Sequence, residues 1–367
     1  MHNRVVAFAP GRVEILGNHT DYNQGVVLSA AIDRGVTASI QRLRQPQIEV
    51  SSQTNQRTAI EDLAELSPSI EEPWANYCFG VIRELMALGL PGRGLRIEIA
   101  SDLPLGAGLS SSAALEVATA YATIDLANWS LDPMKIAQLC QKAENEFVGV
   151  KCGLLDQASS VFGEDNRAIL LDFRSITAET YQLPAGISLL LLDSGIPHAL
   201  TGGEYNERRE QCQAAAAALK VPALRDASTP QVLNSDLDPL IKRRALHITG
   251  ENERVFAGRQ ALLAGDVNAF GQLMFVSHES SRHNFENSTS HLDALVEIAQ
   301  STDGVIGSRL TGGGFGGSTV SLIRSELAQD IIDSMQKKYS SATGAQCRAI
   351  LTRPSQGARI LRRDLVH

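Results

Sequence analysis

The order of strand-like and helix-like segments limits the possible folds of this chain more than any other feature. Three strand-like runs, "GVVLSAAIDRG", "VTASIQRL" and "QIEV", lie within residues 25–50. Because they are close together and joined by polar turns, they predict an antiparallel sheet. Helical spacing follows in "WANYCFGVIRELMALGL" and "SSSAALEVATAYATIDLAN", but strands and helices do not alternate regularly. We therefore predict an α+β fold rather than a doubly wound parallel sheet.

The length of 367 residues is typical of about two domains. The runs "AILLDF" and "ISLLLLDSG" predict strands, and the chain beyond them is more helical. No internal repeat or low-complexity linker marks a division. We place the boundary approximately between an N-terminal lobe, 1–165, and a C-terminal lobe, 166–367.

Composition excludes several classes of protein. The formal charge of −8 argues against a nucleic-acid binder, which usually carries a basic face. No apolar run is long enough for a membrane span, and the first residues do not resemble a signal peptide. The five cysteines form no CxxC pair, so we expect neither a zinc site nor a disulfide framework. We expect a cytoplasmic protein with reduced thiols that binds neither nucleic acid nor membrane.

The motif "PLGAGLSSSAALE", Pro104 to Glu116, lies between a predicted strand and a predicted helix. Its glycines allow close approach of an anion, and the free amides at a helix start bind phosphate. A serine hydroxyl could also reach a phosphate-bound Mg²⁺. The motif lacks the Gly-Lys-Ser/Thr of a Walker A loop. The plain alternative is a capped helix after a glycine turn.

A second motif, "LTGGGFGGSTV", Leu310 to Val320, contains the GxGxxG pattern. A dinucleotide fingerprint requires a helix next, whereas the residues from Ser318 to Ile323 are strand-like. We therefore reject a dinucleotide-dependent enzyme. The remaining interpretations are a glycine loop close to a ligand or another backbone segment, and a flexible turn.

A third motif, "GRVEILGNHTDYNQG", Gly11 to Gly25, concentrates charged and amide side chains in one predicted short loop. Such side chains suit a polyhydroxylated ligand because they accept and donate several hydrogen bonds. A solvated polar loop is the plain alternative.

With these motifs in this order, the chain resembles the galactokinase family within the GHMP group of small-molecule kinases. The resemblance covers nearly the whole chain and includes "CGLLDQASSVFG" and "EYNERREQC". It implies two α+β lobes with the active site between them. It also implies an ATP-dependent sugar 1-kinase that needs Mg²⁺, with galactose as the leading substrate. We expect a monomer that binds only its small-molecule substrates.

The resemblance also implies roles for individual residues. Asp156 matches the catalytic base, and Arg12 the arginine that keeps the base ionised and contacts the transferred phosphate. The residues implied for sugar binding are Asn18, His19, Asp21, Gly153 and Tyr205. The residues implied for nucleotide binding are Gly106, Ala107, Gly108, Leu109, Ser110, Ser111, Ser112, Trp74 and Tyr77. Ser112 and Glu144 match the Mg²⁺ ligands.

The chain departs from the family pattern in its sugar loop. Asn18 replaces a glutamate associated with the 6-hydroxyl of the sugar, and Glu14 replaces an asparagine, so the acid and the amide are exchanged. The other departures are Asn145, Asn284, Phe285 and Ser318. They leave open a kinase for galacturonate or N-acetylgalactosamine. A catalytically silent sugar and ATP sensor is the alternative from another class.

Overall fold

The computed structural model describes residues 2–104, 108–196 and 203–365. The strands are β1 (His2–Leu16), β2 (Val26–Arg42), β3 (Gln47–Ser52), β4 (Arg57–Asp62), β5 (Leu95–Ser101), β6 (Arg167–Asp172), β7 (Thr177–Gln182), β8 (Ile187–Asp193), β9 (Val305–Leu310), β10 (Ser318–Arg324), β11 (Arg348–Thr352) and β12 (Arg359–Leu365). The α-helices are α1 (Asn76–Ala87), α2 (Ser111–Leu126), α3 (Pro133–Ala143), α4 (Leu155–Phe162), α5 (Gly203–Ala218), α6 (Thr229–Leu233), α7 (Pro239–Ala264), α8 (Val267–Ser280), α9 (Ser290–Gln300) and α10 (Ala328–Thr343). Single π-helical turns span Glu144–Val148 and Ser281–Phe285.

The first sheet has the strand order β12-β1-β2-β5-β3-β4, with β6 paired to β2 and β7 paired to β6. All pairs are antiparallel except β3 with β5. The antiparallel prediction is therefore confirmed, but the first two strand-like runs form the single strand β2. Gly35 does not end this strand because it lies opposite Pro10, where the register shifts before Arg12. A Cβ at Gly35 would lie 2.2 Å from the carbonyl oxygen of Ala9, so close backbone approach explains the glycine.

Helices α1 to α4 pack with the first sheet around the main hydrophobic core. Most of α2 is buried, and its many alanines allow close contact with β1 and β2. Helix α3 begins as the sequence predicts, since Asp132 accepts a hydrogen bond from the Met134 amide at 2.9 Å and Pro133 occupies the first turn.

The second sheet has the order β11-β8-β10-β9 and is entirely antiparallel. Its central strand β8 carries leucines 189–192, all fully buried, because both faces of the strand are covered. Helices α9 and α10 pack with this sheet around a second core. The α+β class and the two-lobed architecture are confirmed.

Sheet membership divides the chain later than the predicted boundary at residues 165 and 166. Strands β6 and β7 extend the first sheet, and β12 returns to pair with β1. The second sheet begins only at Ile187. The apolar run "AILLDF" predicts strand β6 but does not indicate which sheet it joins. No helix among the described residues is long and apolar enough to cross a membrane.

Candidate active site between the lobes

A cavity of about 200 Å³ lies where β1 and the start of α4 meet the glycine loop after β9. Its lining contains every residue expected at the sugar and the base: Arg12, Asn18, His19, Asp21, Gly153, Asp156 and Tyr205. Glu14 also lines it. The third motif is not one short loop, however, because Arg12 and Glu14 lie in strand β1 and only the residues after Leu16 form the loop.

Asp156 lies in the first turn of α4, and both of its carboxylate oxygens accept hydrogen bonds. The Arg12 Nε donates to Oδ1 at 2.7 Å, and the Ser110 hydroxyl donates to Oδ2 at 2.5 Å. The Arg12 guanidinium also donates through Nη1 to the Gly108 carbonyl at 2.8 Å. These bonds fix the orientation of the carboxylate and join it to the start of α2.

The described part of the phosphate motif places its serines at the beginning of α2. Ser110 precedes the helix in a left-handed conformation, with φ 56°, and its side chain does not cap the helix. The helix-start amides therefore remain free of a Ser110 cap, as a phosphate site at a helix N-terminus requires. Ser111 and Ser112 form the first turn of the helix. Gly106 and Ala107 lie outside the described residues.

Two buried glutamates lie behind the phosphate motif. The Gln157 side-chain amide donates to Glu116 at 3.0 Å and to Glu144 at 2.7 Å. Burial, followed by the charge of Glu144, raises the pKa of Glu116 well above its usual range. Burial also raises the pKa of Glu144, although hydrogen bonds from Cys152 and Ser112 oppose the shift. The contact between Ser112 and Glu144 places the two expected Mg²⁺ ligands together.

The sequence motif does not by itself predict Glu116 as part of the site. A carboxylate among the mostly apolar buried residues of α2 is the available signal. The described residues contain no group of three or more His, Cys, Asp or Glu side chains arranged to hold a metal ion. Mg²⁺ in phosphoryl-transfer sites needs only one or two carboxylates, with substrate phosphates and water completing the shell. The donor set at Ser112 and Glu144 therefore fits this ion.

The exchanged acid and amide in the sugar loop form a hydrogen-bonded pair. Asn18 Nδ2 donates to Glu14 Oε1 at 2.9 Å and to the Gly312 carbonyl at 2.8 Å. Asn18 Oδ1 accepts from Asn287 Nδ2 at 2.9 Å. Both amide hydrogens of Asn18 are therefore used within the protein.

Glu14 is held from the other side by Arg309 of β9. The Arg309 Nη1 donates to Glu14 Oε1 at 2.8 Å, and the arginine is fully buried. Glu14 Oε2 accepts no hydrogen bond from any residue in the described ranges. The cavity wall therefore carries a carboxylate with an available oxygen at Glu14, and not a free amide at Asn18.

His19 lines the cavity, but both ring nitrogens have partners within the protein. Nε2 lies 3.0 Å from the Gly313 carbonyl, and Nδ1 lies 2.9 Å from the Tyr22 hydroxyl. Since a carbonyl only accepts, Nε2 carries the proton and Nδ1 accepts from the tyrosine. Burial lowers the pKa of His19 to about 4, so the ring is neutral near pH 7. A sugar hydroxyl would have to replace one of these bonds to reach a ring nitrogen.

Asp21, Gly153 and Tyr205 form the opposite part of the wall. Burial, together with the charges of Glu14 and Asp156, raises the pKa of Asp21 to about 6. A Cβ at Gly153 would lie 2.1 Å from Asp21 Oδ2, so a side chain here would displace the Asp21 carboxylate. Tyr205, in the first turn of α5, contacts the His19 ring at a centroid distance of 5.2 Å.

The glycine loop after β9 contacts the sugar loop through the Gly312 and Gly313 carbonyls. The expectation of a glycine loop close to another backbone segment is thus confirmed. Gly314 shows the steric reason, since its φ is 82° and a Cβ would lie 2.2 Å from the Asn287 carbonyl oxygen. Strand β10 follows the loop, at the position where a dinucleotide-binding fingerprint would need a helix.

The remaining departures from the family pattern lie around the cavity rather than in its lining. Phe285 is fully buried and packs on the His19 ring at 4.6 Å. Asn284 donates to the Ser280 hydroxyl at 3.3 Å. Asn145 accepts from the Cys152 amide at 2.8 Å and so supports the segment before Asp156.

Of the two residues expected near adenine, Trp74 lies in a 3₁₀ turn just before α1 and Tyr77 lies in the first turn of α1. Burial and the charges of Glu144 and Glu116 raise the pKa of Tyr77 to about 12, which places this ring near the buried carboxylates. The Trp74 indole donates to Glu72 at 2.5 Å. Their contact with a nucleotide stays a prediction.

Comparison with known proteins defines the class first. The models of the GHMP kinases N terminal domain and C terminal domain match residues 76–164 and 259–341. The mevalonate kinase of Methanococcus jannaschii shares the fold, with a TM-score of 0.70 at 20% identity over 97% of this chain and 99% of the mevalonate kinase. The fold is that of a GHMP kinase.

More specific matches follow. The model of the galactokinase galactose-binding signature matches residues 2–42. A galactokinase of Chloroflexus aggregans is 41% identical over 92% of this chain and 89% of its own length. A galactokinase of Roseiflexus is 39% identical over 97% of this chain and 93% of its own length. The structure of Lactococcus lactis galactokinase complexed with galactose has a TM-score of 0.93 at 31% identity, covering 98% of this chain and 95% of that one. The chain belongs to the galactokinase family.

Proposed function

We propose that this protein transfers the γ-phosphoryl group of ATP to the anomeric hydroxyl of galactose, giving galactose 1-phosphate and ADP. One observation carries the proposal: Asp156 lines the sugar cavity and is hydrogen-bonded to Ser110 at the phosphate motif. A single carboxylate thus borders both expected substrates. Intact Asp156 and Arg12 argue against a catalytically silent sensor.

In this reaction Asp156 accepts the proton of the sugar hydroxyl as its oxygen attacks the γ-phosphorus and ADP leaves. Phosphoryl transfer depends mainly on positioning and charge stabilisation, so the protein needs few reacting groups. Arg12 holds Asp156 in place at 2.7 Å and offers positive charge beside the phosphate motif. The α2 amides, with Ser111 and Ser112, would bind phosphate oxygens.

Ser112 and Glu144 would hold Mg²⁺. The ion, when bound, supplies positive charge that neutralises the β- and γ-phosphates. The pKa of Glu144 is raised by burial, so a cation beside it favours the ionised form that a metal ligand needs. Gly106 and Ala107 complete the proposed phosphate loop, and Trp74 and Tyr77 the adenine site.

Galactose is favoured over galacturonate because the cavity retains a carboxylate. Glu14 lines the cavity, whereas the amide hydrogens of Asn18 are bonded to Glu14 and Gly312. An acid at carbon 6 would therefore meet like charge rather than a free N–H donor. We propose Glu14 as the acceptor for a sugar hydroxyl, with Asn18 as the residue that positions it.

A cytoplasmic location is consistent with the cysteines, since all five are free thiols. The monomeric state stays a prediction.

The direct test is ADP release measured over galactose, galactosamine, N-acetylgalactosamine, galacturonate and glucose at equal concentrations. We expect galactose to be the best substrate and galacturonate to be inactive. A higher kcat/KM for galacturonate or N-acetylgalactosamine would replace galactose as the substrate, and no ADP release with any sugar would favour the sensor.

A further inference from the structure

A second cavity, of about 220 Å³, lies at the C-terminal ends of α1 and α2 and shares no lining residue with the sugar cavity. We call it the distal cavity. Its apolar lining comes from Ile82, Met86, Leu90, Leu95 and Leu126. Its volume lies below the roughly 300–1,000 Å³ of sites for drug-sized ligands, so a ligand would be small.

The distal cavity contains a buried polar group without a partner. Thr123 lines it and is only 2% exposed, and its hydroxyl forms no hydrogen bond with any described residue. One turn earlier on α2, Thr119 instead donates to the Leu115 carbonyl at 2.8 Å. Buried hydroxyls are normally satisfied, so a ligand that supplies an acceptor beside Thr123 would satisfy this donor.

Two arginines also line the distal cavity. Arg42 donates through Nη2 to the Leu126 carbonyl at 2.9 Å and so caps α2. Arg93 is exposed, and neither arginine forms an ion pair with a carboxylate in the described part of the chain. The nearby Asp125 is engaged by Arg363 through bonds of 2.7 and 2.8 Å. The cavity therefore combines an apolar interior with uncompensated positive charge.

We propose that the distal cavity binds a small amphipathic monocarboxylate, with an alkyl chain of roughly six to eight carbons given the cavity's size. The chain contacts the apolar lining, and the carboxylate lies at Arg93 and the free N–H groups of Arg42. One carboxylate oxygen accepts the Thr123 hydroxyl. Binding at this site is independent of the proposed sugar kinase activity.

The test is isothermal titration of the full chain with sodium octanoate, with 1-octanol as a neutral probe of equal length. We expect saturable binding of octanoate and binding of octanol weaker by about tenfold, since a hydrogen bond to a charged group is worth about this much. Arg93→Gln and Thr123→Val should each weaken octanoate by a similar factor. Arg348→Gln, at an exposed arginine of β11 that likewise forms no ion pair with a described residue, is the matched control and should leave octanoate affinity unchanged.

Absence of saturable octanoate binding would overturn the proposal. Equal affinity for octanol would also overturn it, because the site would then be merely apolar. Unchanged octanoate affinity in both Arg93→Gln and Thr123→Val would place the ligand elsewhere. If Thr123→Val fails to fold, Arg93→Gln alone decides, since its side chain is exposed and makes no bond within the described protein.

Discussion

The exchanged pair at positions 14 and 18 gives the sharpest test of the sugar site. Asn18→Glu restores the residue usual in the family but places a second carboxylate against Glu14, where 2.9 Å now separates the amide from Oε1. Like charges about 4 Å apart repel by about 4 kcal/mol at an effective dielectric constant of 20. Both sites are buried, so salt screens the repulsion little. Arg309 is already bonded to Glu14 and offsets only part of it.

We therefore expect Asn18→Glu alone to lower the free energy of unfolding by about 2–4 kcal/mol and to reduce kcat/KM for galactose. The double variant Glu14→Asn with Asn18→Glu should recover most of both losses, because one carboxylate again faces one amide. The assays are urea unfolding and ADP release with galactose. Glu14→Asn alone serves as the matched single variant and completes a double-mutant cycle.

If Asn18→Glu is as stable as the parent and improves galactose turnover, Asn18 does not act by positioning Glu14. That outcome would mean that residue 18 reads the sugar directly and that Glu14 is a bystander. If the effects of the two single variants on stability and kcat/KM simply add in the double variant, positions 14 and 18 are not energetically coupled. Their hydrogen bond implies that they are coupled.

Two further predictions concern pH and metal. Asp21 has a folded pKa raised to about 6, so its carboxylate predominates only above that pH. KM for galactose should therefore fall as pH rises from 5 to 7, and Asp21→Asn should lose this pH dependence. A KM that does not change with pH in the parent protein would remove Asp21 from sugar binding. Glu144→Gln should raise the Mg²⁺ concentration needed for half-maximal rate by about tenfold, since the Ser112 hydroxyl, the substrate phosphates and water remain as ligands. Galactose binding without ATP should stay the same, and an unchanged Mg²⁺ titration would exclude Glu144 as a ligand.

Contiguous motifs explain why much of the site was predictable. Asn18, His19 and Asp21 lie within four residues, so any fold of that loop keeps them close together. Gly153, just before α4, and Asp156, in its first turn, are likewise close in sequence. The expectation that these separate segments meet in one site rests on the chain's resemblance to the galactokinase family. The structure brings them to one cavity.

Pairings between distant residues were not predictable from the sequence. Arg309 and Glu14 are separated by 295 positions, and a buried ion pair leaves no periodic signal. The Ser110 hydroxyl looked like a helix cap, but tertiary contact directs it to Asp156 instead. Register shifts posed the same difficulty in the sheet, where β2 continues through Gly35 because of its partner strand.

Turnover of Asp156→Asn is the decisive measurement of whether Asp156 is the proton acceptor. Asparagine keeps the shape and an oxygen for the 2.7 Å bond from Arg12, so folding and ATP binding should be preserved. Loss of the proton acceptor should slow ADP release in the presence of galactose by about 100-fold or more, the range for removal of a general base. Thermal melting and ATP titration of the same preparation control for damage to the fold. Near-normal ADP release from a folded, ATP-binding Asp156→Asn protein would show that Asp156 is not the proton acceptor.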